Sequence, residues 1–551
     1  MSTAANGRSA VASSSSTTAV DVSPVHLVVC CHGLWGDPSH LSYIIKSLVK
    51  KWDAEVSPRS ADETDVKTGK APKEGGKTKK ARDSMSSADA VTDVSGDTVT
   101  GESGKAKVVI LNTASNAWVR TYDGIDWCAE RIVQEIQRET QRLSDQKRKV
   151  TKLSIMGYSL GGLFARYTAG LLYSQGYFRD VEPVHFTTFA TPHVGMIRTR
   201  GWFPKVAFYI GGRLLGRTGA QLHVRDKGWH LDHFASPQSV PLLQAMSSPD
   251  STFYKALCAF HHVDFYANAI SDITVPFRTG GCMSLDPWAG WPEGRELDVA
   301  GSGIEVERHP DYPALLTSVK VPYGPPPKKP LGQRILQAVV PRSWPWFLNP
   351  KRIPWRFPLN YIGVALFPIV LPILVLLIIT RLATATRASN KRVALQQEEW
   401  IKGKGLLEED PDVKYGEEHE RDRISSVLRE TIQAVAEENV ESEEPATGAN
   451  GNTKQSKLDA KSLKSRITFP YLEIEVTPAT REYLDSRMTP VGGRQRDMQA
   501  NLNAIPGLRK HLAYFDQVMN SHAIIICRTP SMEMHRRGKM VVQHFVDHFD
   551  A

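Results

Sequence analysis

No Asn-x-Ser/Thr acceptor occurs in the 551-residue sequence, so nothing marks a glycosylated surface loop. Cysteine is scarce: Cys30, Cys31, Cys128, Cys258, Cys282 and Cys527 show neither paired-disulfide nor metal-finger spacing. Both absences fit a reducing, cytosol-facing chain. The first twenty residues are Ser/Thr/Ala-rich and lack an apolar core, so no secretory signal is expected. Nucleic-acid motifs are missing, and the basic residues do not interleave with stacking aromatics, so nucleic acid is not expected as a partner. The formal net charge of +9 then suits an anionic membrane surface.

What is present centres on residues 152–170, KLSIMGYSLGGLFARYTAG. Leu153, Ile155 and Met156 read as a short strand, and helix formers follow Gly161 and Gly162. Between them Gly157-Tyr158-Ser159-Leu160-Gly161 makes a G-x-S-x-G turn. A nucleophilic serine needs such a sharp strand-to-helix turn, with residues two before and two after too close to backbone for a large side chain. The helix N-terminus beside it offers amides to developing negative charge.

Upstream, VHLVVCC (25–31) is a continuous apolar run, as for a central parallel strand, and ends in His32-Gly33-Leu34-Trp35-Gly36. In an α/β-hydrolase layout one oxyanion-hole amide comes from this loop and one from the residue after the nucleophile. That assigns the backbone of Leu34 and Leu160. His32 reads as a residue that orders the loop, and Ser39 as the cap of a helix through HLSYIIKSLVKKW. Further strands are read at 108–111, 184–190 and 262–269, and a helix over 125–146. His193, in TPHVG, lies on the wrong strand for a catalytic base. Asp272 lies just past the 262–269 strand, after the serine, where a Ser…Asp…His order needs its acid. Asp264, inside that strand, is less well placed to reach. For the base, His522 stands at a loop-to-apolar junction before a closing helix at 538–549, and His309 in ERHPDYP is its rival. His544 and His548, four apart, read as a packed helix face; no metal site and no cofactor is expected.

Composition divides the chain further. Residues 1–22 read as a disordered leader and 23–325 as the first part of the core, interrupted by a polar insertion at 54–106 and a possible lid at 196–258. Residues 326–392 form a basic, Trp-rich and then hydrophobic segment, with 357–380 uncharged and long enough to span a bilayer once. Trp344, Trp346 and Trp355 suit a membrane–water boundary. Residues 393–465 are acidic and read as another disordered insertion; 466–551 complete the core. If His522 is the base, one crossing would separate it from Ser159, and twenty-four residues are too few for two crossings of about 20 each. A re-entrant or in-plane anchor is therefore expected, with Pro368 and Pro372 supplying a bend.

The ordered set HGLWG, GYSLGG, TPHVG, NAISDITVPF and NSHAIIICR resembles the fungal putative serine esterase family of α/β-hydrolases, over roughly 22–325 and 466–551. The resemblance carries Ser159, Asp272 and His522 over as a triad. It implies hydrolysis of lipid esters, as by a lipid-droplet phospholipase or lipase, on a cytosol-facing membrane, lipid-droplet or endoplasmic-reticulum surface. Two other functions share these features: a deacylase of lipidated proteins or glycolipid anchors, using the same triad, and a catalytically silent membrane scaffold.

Overall fold

The structure, a computed structural model, describes residues 22–58, 106–197, 211–226, 240–289, 304–321, 359–402, 465–488, 491–518 and 520–551. The leader, most of the 54–106 and 393–465 insertions, the Trp-rich stretch and parts of 196–258 lie outside the described residues.

In chain order the elements are β1 (Ser23–Cys31), α1 (Ser42–Trp52), β2 (Glu55–Val56), β3 (Lys107–Asn112), α2 (Ile125–Asp145), β4 (Arg148–Tyr158) and α3 (Gly161–Ser174). Next come β5 (Glu182–Phe189), α4 (Gly216–Leu222), α5 (Thr252–Ala259), β6 (His262–Asn268), β7 (Glu305–Arg308) and β8 (Leu315–Lys320). The long α6 (Leu359–Ile401) precedes β9 (Ser465–Phe469), β10 (Leu472–Val476), α7 (Pro478–Arg487), α8 (Gly493–Asn503), β11 (Leu508–Ala513) and α9 (Lys539–Asp547).

The strands form one eleven-stranded sheet in the order β2-β3-β1-β4-β5-β6-β11-β8-β10-β9, with β7 on β8. From β2 to β11 the neighbours run parallel. The β8 edge is mixed. This is the mostly parallel α/β-hydrolase architecture. After β3 the chain crosses over β1 to place β4 on its other side, so the C-terminal ends of β1 and β4 flank the switch point where open α/β sheets hold ligands.

The VHLVVCC run is continuous because both faces of β1 are covered. Val25, Leu27, Val29 and Cys31 pack with α2 and α3, through Ile132 and Phe164 among others. Val28 and Cys30 pack with Ile44 and Leu48 of α1 and Val542 and Phe545 of α9. The alternation follows from the two-residue period of a strand.

Several elements differ from the sequence reading. Asp37, rather than Ser39, caps the turn Pro38–Leu41 by accepting from the Ser39 amide at 2.8 Å, and α1 starts one turn later. Within 466–551, read only as completing the core, the chain opens on the hairpin β9–β10, which turns at Tyr471 with φ of 70°. The 357–380 segment does not bend back: α6 is one helix of 43 residues with Pro368 and Pro372 inside it, and it runs across the boundary drawn at 392/393.

Two halves of α6 have opposite surroundings. Leu366, Ile369, Val370, Leu371, Ile373 and Leu377 are exposed, as are Val375, Leu376, Ile378 and Ile379. Beyond them Ala385, Ser389, Val393 and Gln396 are buried, at a spacing that puts them on one helical face. That face docks beside α4 and the one-turn helix Trp118–Tyr122.

Candidate active site

Ser159 follows the last residue of β4 and holds φ at 55°, in the left-handed region that non-glycine residues avoid. Its neighbours hold it there. The Ser159 amide donates to Phe189 O at 2.8 Å, and its carbonyl accepts from Thr191 Oγ1 at 2.9 Å. The flanking glycines answer to close approach. A Cβ on Gly157 would lie 2.4 Å from Gly162 Cα, and one on Gly161 would lie 2.2 Å from Cys31 O. Real atoms do not pack that closely, so only glycine lets β4 turn into α3 against the end of β1.

Asp272 and His522 reach the same point from two loops. The first loop follows β6 and the second follows β11, which lies beside β6 in parallel. Ser521 ties them together: its amide donates to Ser271 O and its hydroxyl to Ile270 O, both at 2.8 Å. His522 Nε2 then lies 2.9 Å from Ser159 Oγ, and Nδ1 lies 2.9 Å from Asp272 Oδ2. Asp272 also accepts from Asn268 Nδ2 at 2.8 Å and from the amides of Thr274 and Val275 at 3.0 and 2.8 Å. With its carboxylate oxygens accepting from these donors, Asp272 orients His522 with Nδ1 as the donor, which leaves the Nε2 lone pair facing Ser159. Tyr158 donates to His522 O at 3.1 Å, and its ring lies tilted at 35° against the imidazole with centroids 5.1 Å apart.

The loop after β1 closes the other side. Gly33 abuts the serine so tightly that a Cβ there would lie 2.7 Å from Ser159 Cβ and 3.3 Å from Oγ. Leu34 is the residue after Gly33, and Leu160 follows Ser159 at the N-terminus of α3. Among the described residues, no protein acceptor takes a hydrogen bond from either amide.

The other singled-out histidines lie elsewhere. His32 Nδ1 is 3.1 Å from Gly33 O, and burial lowers its pKa, keeping the ring neutral as a brace for the loop. His193 stacks on Phe265 with centroids 3.7 Å apart and pairs with Thr188; burial and the nearby Arg166 hold it well below the usual range. His309, the rival base, accepts amides of Asp311 and Tyr312 in the β7–β8 turn and faces His544, away from Ser159. Asp264 is bound by Arg509 and His511. His544 pairs with Tyr266 at 2.7 Å and stacks on His548, as a packed helix face.

One grouping escaped the sequence reading. His185, His262 and Asp550 bring three donor atoms together at the opposite end of the sheet. They already satisfy one another: the Asp550 amide donates to His185 Nε2 at 2.9 Å, and the two rings stack 4.7 Å apart with Asp550 Oδ2 3.1 Å from His262 Nε2. Nearly parallel rings aim their lone pairs side by side, which is a poor start for joint coordination of one ion.

Comparison with known proteins bears out the resemblance drawn from the motif order. Residues 88–284 match the family model described as Putative serine esterase (DUF676). A Schizosaccharomyces pombe protein named Putative lipase C4A8.10 is 30% identical over 180 residues, covering 31% of this chain and 21% of that protein. Putative lipase ROG1 of Saccharomyces cerevisiae is 28% identical over 169 residues, covering 30% of this chain and 22% of that protein. The match thus spans about a fifth of the length of each of these relatives. A solved Listeria innocua structure, the product of the gene lin2722, aligns with 46% of this chain and 77% of its own at 14% identity and a TM-score of 0.23.

Proposed function

We propose that this chain, a serine-esterase relative by its 88–284 match, hydrolyses acyl esters of lipids at a membrane or lipid-droplet surface facing the cytosol. One observation carries the chemistry: Ser159 Oγ, His522 Nε2 and Nδ1, and Asp272 form a continuous hydrogen-bonded line from three loops at the switch point. Ser159 attacks the acyl carbonyl as His522 takes its proton, and Asp272 stabilises the imidazolium that results. The oxyanion meets the amides of Leu34 and Leu160. His522 then returns the proton to the leaving alcohol, and water, activated by the same ring, releases the acid from the acyl-enzyme. Every step uses the protein's own groups and water.

The lipid surface is inferred from α6. Its exposed half is apolar around its whole circumference, which a lipid phase can surround and a protein partner, docking on one face, cannot. The residues between Val321 and Leu359 precede this helix in the sequence. They carry Lys328, Lys329, Arg334, Arg342, Lys351, Arg352 and Arg356. Taking such cations through a hydrocarbon core is costly, so α6 is proposed to sit in the leaflet facing the domain. The basic residues then meet anionic headgroups.

The test is release of free fatty acid from vesicles of mixed glycerophospholipid and triacylglycerol by wild type and by Ser159→Ala. Release by wild type alone supports the reading. A wild-type protein that reacts with a fluorophosphonate yet releases nothing from these lipids points to acylated protein or a glycolipid anchor as the substrate instead.

A further inference from the structure

The lipid-embedded helix and the oxyanion loop converge on one buried carboxylate, Asp123. Its side chain is fully buried at the end of the one-turn helix Trp118–Tyr122. Arg392 of α6 grips it as a fork: Nη2 donates to Oδ1 at 2.9 Å and Nε to Oδ2 at 3.2 Å. Ser389, also on α6, donates to Oδ1 at 2.6 Å, and Arg131 of α2 donates to Oδ2 at 2.7 Å. Nη2 of Arg392 also reaches Val119 O at 3.3 Å, inside the same turn. A carboxylate taken out of water is costly unless charged and polar donors replace its hydration. Of the three residues that do so here, two come from α6, so undocking the helix would strip the carboxylate of most of these partners.

The same turn holds the oxyanion loop from its other side. The Trp35 amide donates to Thr121 Oγ1 at 3.2 Å, Trp35 Nε1 donates to Tyr122 Oη at 2.6 Å, and the Trp118 amide donates to Gly36 O at 2.9 Å. Trp35 needs this support. Its φ is 54°, a conformation that a bulky side chain keeps only when its surroundings impose it. Leu34, whose amide is assigned to the oxyanion, is the residue before it. A third contact braces the turn: Thr218 Oγ1 of α4 donates to Thr121 O at 2.7 Å, and Thr386 of α6 donates to Leu214 O just before α4, at 2.6 Å.

We infer that Asp123 and Arg392 are positioning residues for ester hydrolysis: they join the lipid-bound helix to the turn that fixes Trp35, so that docking of α6 sets the placement of the Leu34 amide. This rests on the esterase reading and adds to it the means by which a lipid surface is coupled to the reaction centre. A helix that served only as an anchor would need no contact with the turn behind the oxyanion loop. Here the helix's one bidentate ion pair among the described residues is spent there.

The experiment compares full-length wild type, Arg392→Ala and Tyr122→Phe, the second an isosteric change that removes only the hydroxyl partner of Trp35. Each is measured for fluorophosphonate labelling, flotation with phosphatidylcholine–phosphatidylserine vesicles, and kcat and KM on the vesicle lipid. Both variants are expected to float as wild type does with KM unchanged, and still to form the adduct on Ser159, though more slowly. Their kcat on vesicle lipid should fall by about 10- to 100-fold, less than the 10²–10³ lost when an oxyanion donor is deleted outright. A folded, vesicle-bound variant with kcat within twofold of wild type overturns the inference. So does a change confined to KM or flotation, which would make α6 an anchor alone. Wild type that neither labels nor hydrolyses any ester defeats the esterase reading itself, and the inference with it.

Discussion

Ser159 reacts only if its hydroxyl proton has somewhere to go, and the residue-level predictions follow from that. Asp272→Asn keeps the shape of the acid but turns an acceptor-only group into one with donors. His522 then loses its reason to carry the proton on Nδ1, and Nε2 no longer faces Ser159 as a base. The expected cost is about 10⁴ in kcat with little change in fold, read by ester turnover alongside circular dichroism. Gly33→Ala tests the opposite wall. Its Cβ would lie 2.7 Å from Ser159 Cβ, so the oxyanion loop must retreat from the nucleophile. Turnover is expected to fall at least about 100-fold, the loss of one oxyanion donor, while vesicle binding persists; near-normal kcat would mean that this loop does not meet the oxyanion. These residues were readable from the sequence because geometry restricts their identity. Glycines at 157 and 161 are dictated by backbone approach, and an acid and a histidine are dictated by chain order after the nucleophile. The residues around His309 and His522 do not by themselves separate the two, since nothing in them says which loop β11 brings beside β6; only the motif order and the fold favour His522.

At the scale of elements, the sheet hides titratable groups behind α9. His26 and His185 line its face on β1 and β5 and both stack on Phe549, with centroids 5.3 and 4.8 Å away. Burial, first, and neighbouring charged groups push His26 down to about 3, His185 to about 4 and His544 to about 2. All three are depressed below the value of an unfolded histidine, so the unfolded chain binds more protons than the folded one once pH drops below about 6.5. Their contribution to stability is complete above that pH and is lost as pH falls toward the folded values, by roughly 1.4 kcal/mol per unit for each buried ring. Thermal melts between pH 7.5 and 5 should show a falling midpoint, with a shallower fall in His185→Phe. A midpoint independent of pH over that range would contradict the packing of α9. The elements that were legible are those whose pattern has one cause. The β1 run is apolar because both faces are covered, and α2 is periodic because one face is. Strand β11 was missed because LRKHLA places Lys510 and His511 at buried positions. Lys510 survives there by donating to Cys282 O and Asn503 Oδ1, and His511 by pairing with Asp264; no sequence pattern announces such partners.

For the molecule as a whole, the chain that brings Ser159, His522 and Asp272 into line also carries α6, at 43 residues and about 1.5 Å each some 65 Å of helix. The apolar segment was legible in the sequence from its length and lack of charge. Its continuation into a docked, polar half was not, because charge on residues 387–399 disguises a face of Ser389, Val393 and Gln396 turned toward the domain. Ile373→Asp combined with Leu377→Asp puts two charges into the exposed apolar half. At about 3 kcal/mol for each acid in hydrocarbon, vesicle flotation should be lost while fluorophosphonate labelling continues. Retained flotation would show that α6 is not what meets lipid.

The central claim is that His522, through Asp272, makes Ser159 a nucleophile. It is met most directly by the rate of fluorophosphonate labelling of purified wild type, Ser159→Ala, His522→Ala and His309→Ala, with the adduct located by peptide mass. The account predicts fast labelling on the Ser159 peptide in wild type and His309→Ala, none in Ser159→Ala, and labelling slowed at least about 10³-fold in His522→Ala. Labelling that survives in His522→Ala but disappears in His309→Ala, or an adduct on any other serine, would contradict it.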